Sequence, residues 1–236
     1  MNIGDIVGDS LNYPLNNIMA LIIYMALGIL LGIIMAFTGV SSIFTGNYNP
    51  TAGIVIGIIG IIICLLIHFL IQGYMLDVVK YGINTRSDAP EINFTGNVIK
   101  GFQATIVQIV YFIIPIIITV LVKFIFSLWI TVIVGIILFI IFGLAELMGK
   151  CRLANSGNLM YALNIPGAID DVSKVGVGKL IGTLIIIAII AAIIRLIVGG
   201  VLSLIPFVGE ILVGILGVYV SFFISRSIGL LYSDIR

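Results

Sequence analysis

The chain has 236 residues, of which 61% are hydrophobic and 9% charged, with a net charge of +1 and a mean hydropathy of +1.34. Soluble domains hold about 45–50% apolar and about 25% charged residues, so too few polar side chains are present to clothe a soluble globule. The near-neutral balance, with no basic stripe, argues against nucleic acid as a partner.

Apolar runs recur along the chain, each long enough to cross about 30 Å of hydrocarbon as a helix. Runs such as Ile54–Leu66 and Ile181–Ile194 do not alternate apolar and polar residues, as the strands of a membrane barrel would. An all-α polytopic membrane protein is therefore expected. It has six transmembrane helices arranged as three hairpins, with short interfacial helices, in a single domain over residues 1–236.

Residues 1–16 carry no Lys or Arg, unlike the basic start of a secretory signal peptide. Ile3, Ile6, Val7, Leu11 and Leu15 against Asp5, Asp9 and Asn12 predict an interfacial helix ending near Pro14. Span 1 is expected over 17–37, followed by a polar loop over 38–51, then span 2 over 52–76. A polar segment over 77–103 is interrupted at Ala89-Pro90, and Val98, Ile99 and Phe102 form an amphipathic lead-in. Spans 3 (104–122) and 4 (128–148) are separated so briefly that they must form an antiparallel pair. Residues 149–179 predict two interfacial helices broken at Pro166-Gly167. Spans 5 (180–204) and 6 (210–231) form a last hairpin around Ile205-Pro206-Phe207-Val208-Gly209.

Six spans put both termini on one side. Lys80, Arg86, Lys100, Lys150, Arg152, Lys174, Lys179, Arg226 and Arg236 share that side, against Lys123 alone on the other. The positive-inside rule then predicts both termini in the cytoplasm, in a multi-pass protein of the cell membrane. Trp129 and Phe126 would join the outer aromatic belt. Polar lead-ins before the odd spans, and Gly73, Gly149 and Gly229 closing the even ones, suggest hairpin repeats over 1–88, 89–163 and 164–236. The alternative is the division into three hairpins that any six-span chain allows.

Ionisable groups at membrane depth are functional candidates. Arg195 and Glu210 lie roughly 16 Å and 6 Å from the last turn at about 1.5 Å per residue, close enough for a snorkelling Arg195 to reach Glu210. They could form an intramembrane ion pair that latches the hairpin, or line a polar path. Glu146 and Lys150 share a helix face at i, i+4 and suit an interfacial pair. His68 and Gln72 share a face of span 2; His68 suits a proton relay or an interhelical hydrogen bond. Gly28 with Gly32, Gly53 with Gly57, and Gly178 with Gly182 are small-residue motifs for close helix packing, within the chain or between copies. Cys64, Cys151 and His68 lack metal-ligand spacing, and Gly176-Val177-Gly178-Lys179 lacks the rest of a phosphate loop. No cofactor or metal is expected.

Several phrases resemble a known family. They are Ser10-Leu-Asn-Tyr-Pro-Leu-Asn16, Gly73-Tyr74-Met-Leu, and Ala89-Pro-Glu-Ile-Asn-Phe94 leading to Gly101, Val110-Tyr111 and Ile114-Pro115. Arg152-Leu-Ala154, Ala162-Leu-Asn164, Ile205-Pro-Phe-Val-Gly209 and Leu231-Tyr232 follow. Together they resemble a domain-of-unknown-function family of six-span membrane proteins common in methanogenic and other archaea. Ile92-Asn93 departs from the usual aromatic after Pro-Glu, with Phe94 in its place. More remotely the chain is similar to the membrane domain attached to some glycerophosphodiester phosphodiesterases. The resemblance implies a fold and an archaeal host, and supplies no catalytic residues.

The first functional expectation is a non-catalytic structural or envelope-organising membrane protein. Its partner is the bilayer, and a homo-oligomer or a second membrane protein is a further possibility. The alternative is a small-molecule or lipid permease with a polar path near Arg195, Glu210, His68 and Glu146. Third comes an intramembrane lipid-modifying enzyme with Glu146 or His68 as acid/base.

Overall fold

The structure, a computed structural model, describes residues 1–194, 196 and 208–236, with the backbone alone over 208–215. Among the described residues there are helices and no strand. Six helices are long and apolar enough to cross a membrane.

Helix α1 (Ile3–Asn16) starts in a capping box, with the Asn2 side chain accepting from the Asp5 amide at 2.8 Å. It runs two residues beyond Pro14, the expected stop. Helices α2 (Ile18–Gly46) and α3 (Pro50–Ile83) form the first hairpin. Most of the expected 38–51 loop is helical. Inside a membrane a helix satisfies its own backbone, and Ser42 back-bonds to the Gly39 carbonyl at 3.1 Å, so small polar residues do not end it. The turn is confined to Asn47–Asn49, where Asn49 caps α3 and Pro50 begins it.

Helix α4 (Phe94–Ile125) is capped by Asn93 and absorbs the amphipathic lead-in. Helix α5 (Leu128–Ser156) ends at Gly157, whose φ of 67° is the left-handed conformation that glycine adopts without strain. Two short helices follow, α6 (Leu159–Ala162) and α7 (Ile165–Val175). The break between them falls at 163–164, not at Pro166-Gly167 as expected. Asn164 caps α7, and Pro166 lies in its first turn, where a missing N–H leaves nothing unsatisfied. Helix α8 (Val177–Ile194) and α9 (Val208–Tyr232) complete the described spans, and a 3₁₀ turn over Ser233–Ile235 ends the chain.

Helix α3 is the hub, packing on α2, α4, α9 and α5. Helix α9 also lies against α1 and α2, while α5 carries α6 and α7. Helix α8 buries Leu180, Thr183 and Ile187, a narrow stripe at helical spacing. The termini meet: the Met1 ammonium is 2.8 Å from Asp234, and Lys179 bonds both Asp234 and the Met1 carbonyl. This is the terminal end of the bundle. The opposite, far end holds the α2–α3 and α4–α5 turns.

Close approach depends on glycines facing another helix. A Cβ on Gly73 would fall 1.8 Å from the Asn97 carbonyl oxygen, and one on Gly101 would fall 1.8 Å from that of Phe69, so these two residues set the α3–α4 crossing. Gly82 and Gly229 do the same between α3 and α9. Of the six glycines in the i, i+4 motifs, Gly53 lies against the Gly46 backbone and Gly28 against Val218; Gly57 and Gly182 have ordinary contact distances, and Gly32 and Gly178 meet nothing within 4 Å among the described residues.

Candidate functional site

Charged and polar side chains converge at the terminal end in three clusters. In the first, Arg226 of α9 is 1% exposed. Its Nε donates to Asp9 Oδ1 of α1 at 2.6 Å, its Nη2 to Asp9 Oδ2 at 3.2 Å, and its Nη1 to the Arg86 carbonyl. The guanidinium lies 4.6 Å from the Tyr13 ring centre. Burial raises the Tyr13 hydroxyl well above its ordinary pKa despite the nearby Arg226 charge; neutral, it donates to the Asp88 carbonyl at 3.1 Å.

In the second cluster, Arg152 of α5 donates to Asp171 Oδ2 of α7 at 2.9 Å and to the Tyr161 carbonyl at 3.1 Å, and stacks 3.7 Å from the Tyr161 ring centre. Tyr232 of α9 donates to the same carboxylate oxygen at 3.0 Å. In the third, Lys100 of α4 meets both Asp77 oxygens of α3 at 2.6 and 2.8 Å. With its amide turned to satisfy both ends, Asn97 donates to Asp77 Oδ2 and the Asn93 carbonyl, each at 3.1 Å, and accepts from the Tyr24 hydroxyl at 3.0 Å. Tyr24 stacks on Tyr74 with centroids 4.1 Å apart.

Two cavities matter beside these clusters. One, of about 420 Å³, is a groove between α2 and α3 lined by Thr38, Ser42, Gly60, Cys64 and His68 among aliphatic residues. The other, of about 220 Å³, lies between α3, α5 and α9, with Gln72, Lys150, Ser221 and Ser225 as its polar lining.

The candidates from sequence fall as follows. Glu146 is buried on α5 with Oε1 2.6 Å from Lys150 Nζ. The distance is that of an ion pair, yet the alignment misses a hydrogen bond, leaving Oε1 in charge contact alone. His68 lines the α2–α3 groove, and Gln72, one turn on, lines the other cavity. Arg195 and the turn around Pro206 lie outside the described residues. Glu210 falls in α9, where the backbone alone is described. Cys64 and Cys151 are unbridged, and among the described residues no group of His, Cys, Asp or Glu is placed to hold a metal.

From sequence, Arg226 stands as an inner-face charge, and Arg152 as an inner-face charge and part of the phrase Arg152-Leu-Ala154. A signal was present for Arg226: it sits between Phe222-Phe223 and Leu230-Leu231, inside the stretch expected as span 6.

The family described as a protein of unknown function, DUF4013, matches residues 56–207, well over half of the chain. The chain belongs to the DUF4013 family. The region matched to DUF4013 contains His68, Gln72, Asp77, Lys100, Glu146, Lys150, Arg152 and Asp171, whereas Asp9, Ser225 and Arg226 lie beyond it. No curated protein and no solved structure matches the chain. With its six membrane-length helices, this DUF4013 member is an integral membrane protein of uncharacterised role.

Proposed function

We propose that the chain is a non-catalytic structural element of the cell membrane, an envelope-organising scaffold with both termini in the cytoplasm. The observation that carries this is the use of charge at the terminal end. Arg226, Arg152 and Lys100 each meet a carboxylate on a different helix, so these charged groups tie helices together. Of the acid/base candidates, His68 lines the α2–α3 groove and Glu146 meets Lys150. The adjacent termini and the nine basic residues on their side support the cytoplasmic orientation. The resemblance to archaeal six-span proteins supports an archaeal membrane as host. The remoter one, to the membrane domain of glycerophosphodiester phosphodiesterases, suits a module seated close to lipid. The possible partner is a second membrane protein or another copy of the chain.

Two measurements test this. In proteoliposomes, Arg226→Ala is expected to lower thermal stability, while wild type and variant leave entrapped solutes equally retained. Steady solute flux through wild-type protein would replace the scaffold with the permease reading. Turnover of a labelled phospholipid by the purified protein would favour the lipid-modifying enzyme. Reporter fusions at the two termini check the side, with cytoplasmic signal from both expected.

A further inference from the structure

We propose that the cavity between α3, α5 and α9 binds the phosphodiester headgroup of a membrane phospholipid, through Lys150, Gln72 and Ser225. Depth is the first argument. Counting inward at about 1.5 Å per residue, Lys150 lies roughly 9 Å from the end of α5 and Ser225 roughly 10 Å from the end of α9. Headgroups occupy only about 5–8 Å of each leaflet, the difference between a bilayer's full and hydrocarbon thickness. These two residues therefore lie where phosphate and glycerol meet hydrocarbon, with Gln72 and Ser221 deeper.

Hydrogen bonding is the second argument. At the same end of the bundle, Arg152, Arg226, Asn97 and Asp77 all have partners. In the cavity the pattern changes. Among the described residues the Gln72 amide and the Ser225 hydroxyl bond no protein group, and Ser221 donates to the Gly217 carbonyl at 2.9 Å. Lys150 is the one charged lining residue; an ammonium carries three donors, and its contact with Glu146 is one of charge alone. Ser225 is buried and Gln72 and Lys150 half-buried, and the oxygens of a phosphodiester can accept from all three side chains.

Access is the third. Near the terminal end α5 and α9 touch where Cys151 Sγ lies 3.9 Å from the Ile228 carbonyl. Further in, Leu147 of α5 and Ile224 of α9 both line the cavity and are only half-buried. In the proposal the headgroup enters on this flank, so the acyl chains of a bound lipid remain among other chains. The rest of the lining, Met75, Leu76, Val79, Ala104 and Ile228, is apolar and suits the first methylenes of the hydrocarbon chains.

The experiment uses the full chain in mild detergent, with native mass spectrometry for retained phospholipid and thermal unfolding for response to added probe. Wild type is expected to retain a phospholipid and to be stabilised by phosphatidylglycerol, but not by inorganic phosphate at equal concentration. Losing one hydrogen bond to a charged group weakens binding by about 10- to 100-fold, so Gln72→Leu and Ser225→Leu should cut occupancy by that order. Ser225→Ala removes the hydroxyl without added bulk, should the larger side chain disturb folding. Lys174→Gln, an exposed lysine of α7, should retain wild-type occupancy. Folded variants that keep wild-type lipid overturn the proposal, as does equal stabilisation by inorganic phosphate, which would mark a free-anion site. Solute flux tests the scaffold separately, so either idea can fail while the other stands.

Discussion

At the terminal end of the bundle Arg152, Arg226, Tyr24, Tyr74 and Tyr111 are buried, and each reaches a named partner on another element. At the far end Tyr48, Phe124 and Trp129 are about four-fifths exposed, and the most apolar stretch of α3 is only 6% buried against other helices. The contrast follows from solvent. Lipid is as apolar as leucine, so the far halves of the helices gain little by burying isoleucine against isoleucine. Hydrogen bonds, ion pairs and close backbone contact must hold the chain together, and they are concentrated where the chain has polar residues.

That comparison can be broken by removing one terminal-end partner at a time. Arg226→Ala, which empties a fully buried site while solvent takes up the charge of Asp9, 38% exposed, is expected to cost about 2–5 kcal/mol, mostly through the cavity it leaves, read as a fall in the unfolding midpoint of purified protein. An unchanged midpoint would remove the idea that charge holds α1 to α9. Gly73→Ala puts a methyl group against the Asn97 carbonyl and should cost about 1–3 kcal/mol by forcing α3 and α4 apart. Cross-linking between engineered cysteines on those helices should weaken in parallel.

Smaller effects sharpen the boundary. Lys100 is 43% exposed, so solvent screens its pair with Asp77, and Lys100→Ala should cost under about 1 kcal/mol. A loss as large as that of Arg226→Ala would mean the third cluster is shielded far better than its exposure implies. Gly32→Ala meets nothing within 4 Å among the described residues, and removing a mid-helix glycine should be neutral or stabilise by about 0.5–1 kcal/mol. A destabilised Gly32→Ala would reveal a far-end contact, within the chain or between copies, the two uses expected of the small-residue motifs.

Local chemistry accounts for what was legible in the sequence. Apolar length defines a membrane helix, so six spans and the shared side of the termini followed from composition and counting. Asn and Pro mark helix starts through their own backbone chemistry, yet boundaries moved where Ser42 and Thr38 looked like loop residues and proved to be helical. The motif Gly53-xxx-Gly57 illustrates the limit. Spacing finds glycines on one helix face, but only the opposing backbone decides that Gly53 is squeezed and Gly57 is not.

What the sequence alone determined is therefore the class of molecule: an all-helical, even-spanning chain with its basic residues gathered at one end. The tertiary structure decided which residue meets which. Asp9 and Arg226 stand 217 positions apart, and Gln72, Lys150 and Ser225 come from three helices. No periodicity within one helix records such encounters. They depend on how helices cross, and the crossing depends on where a glycine lets two backbones touch.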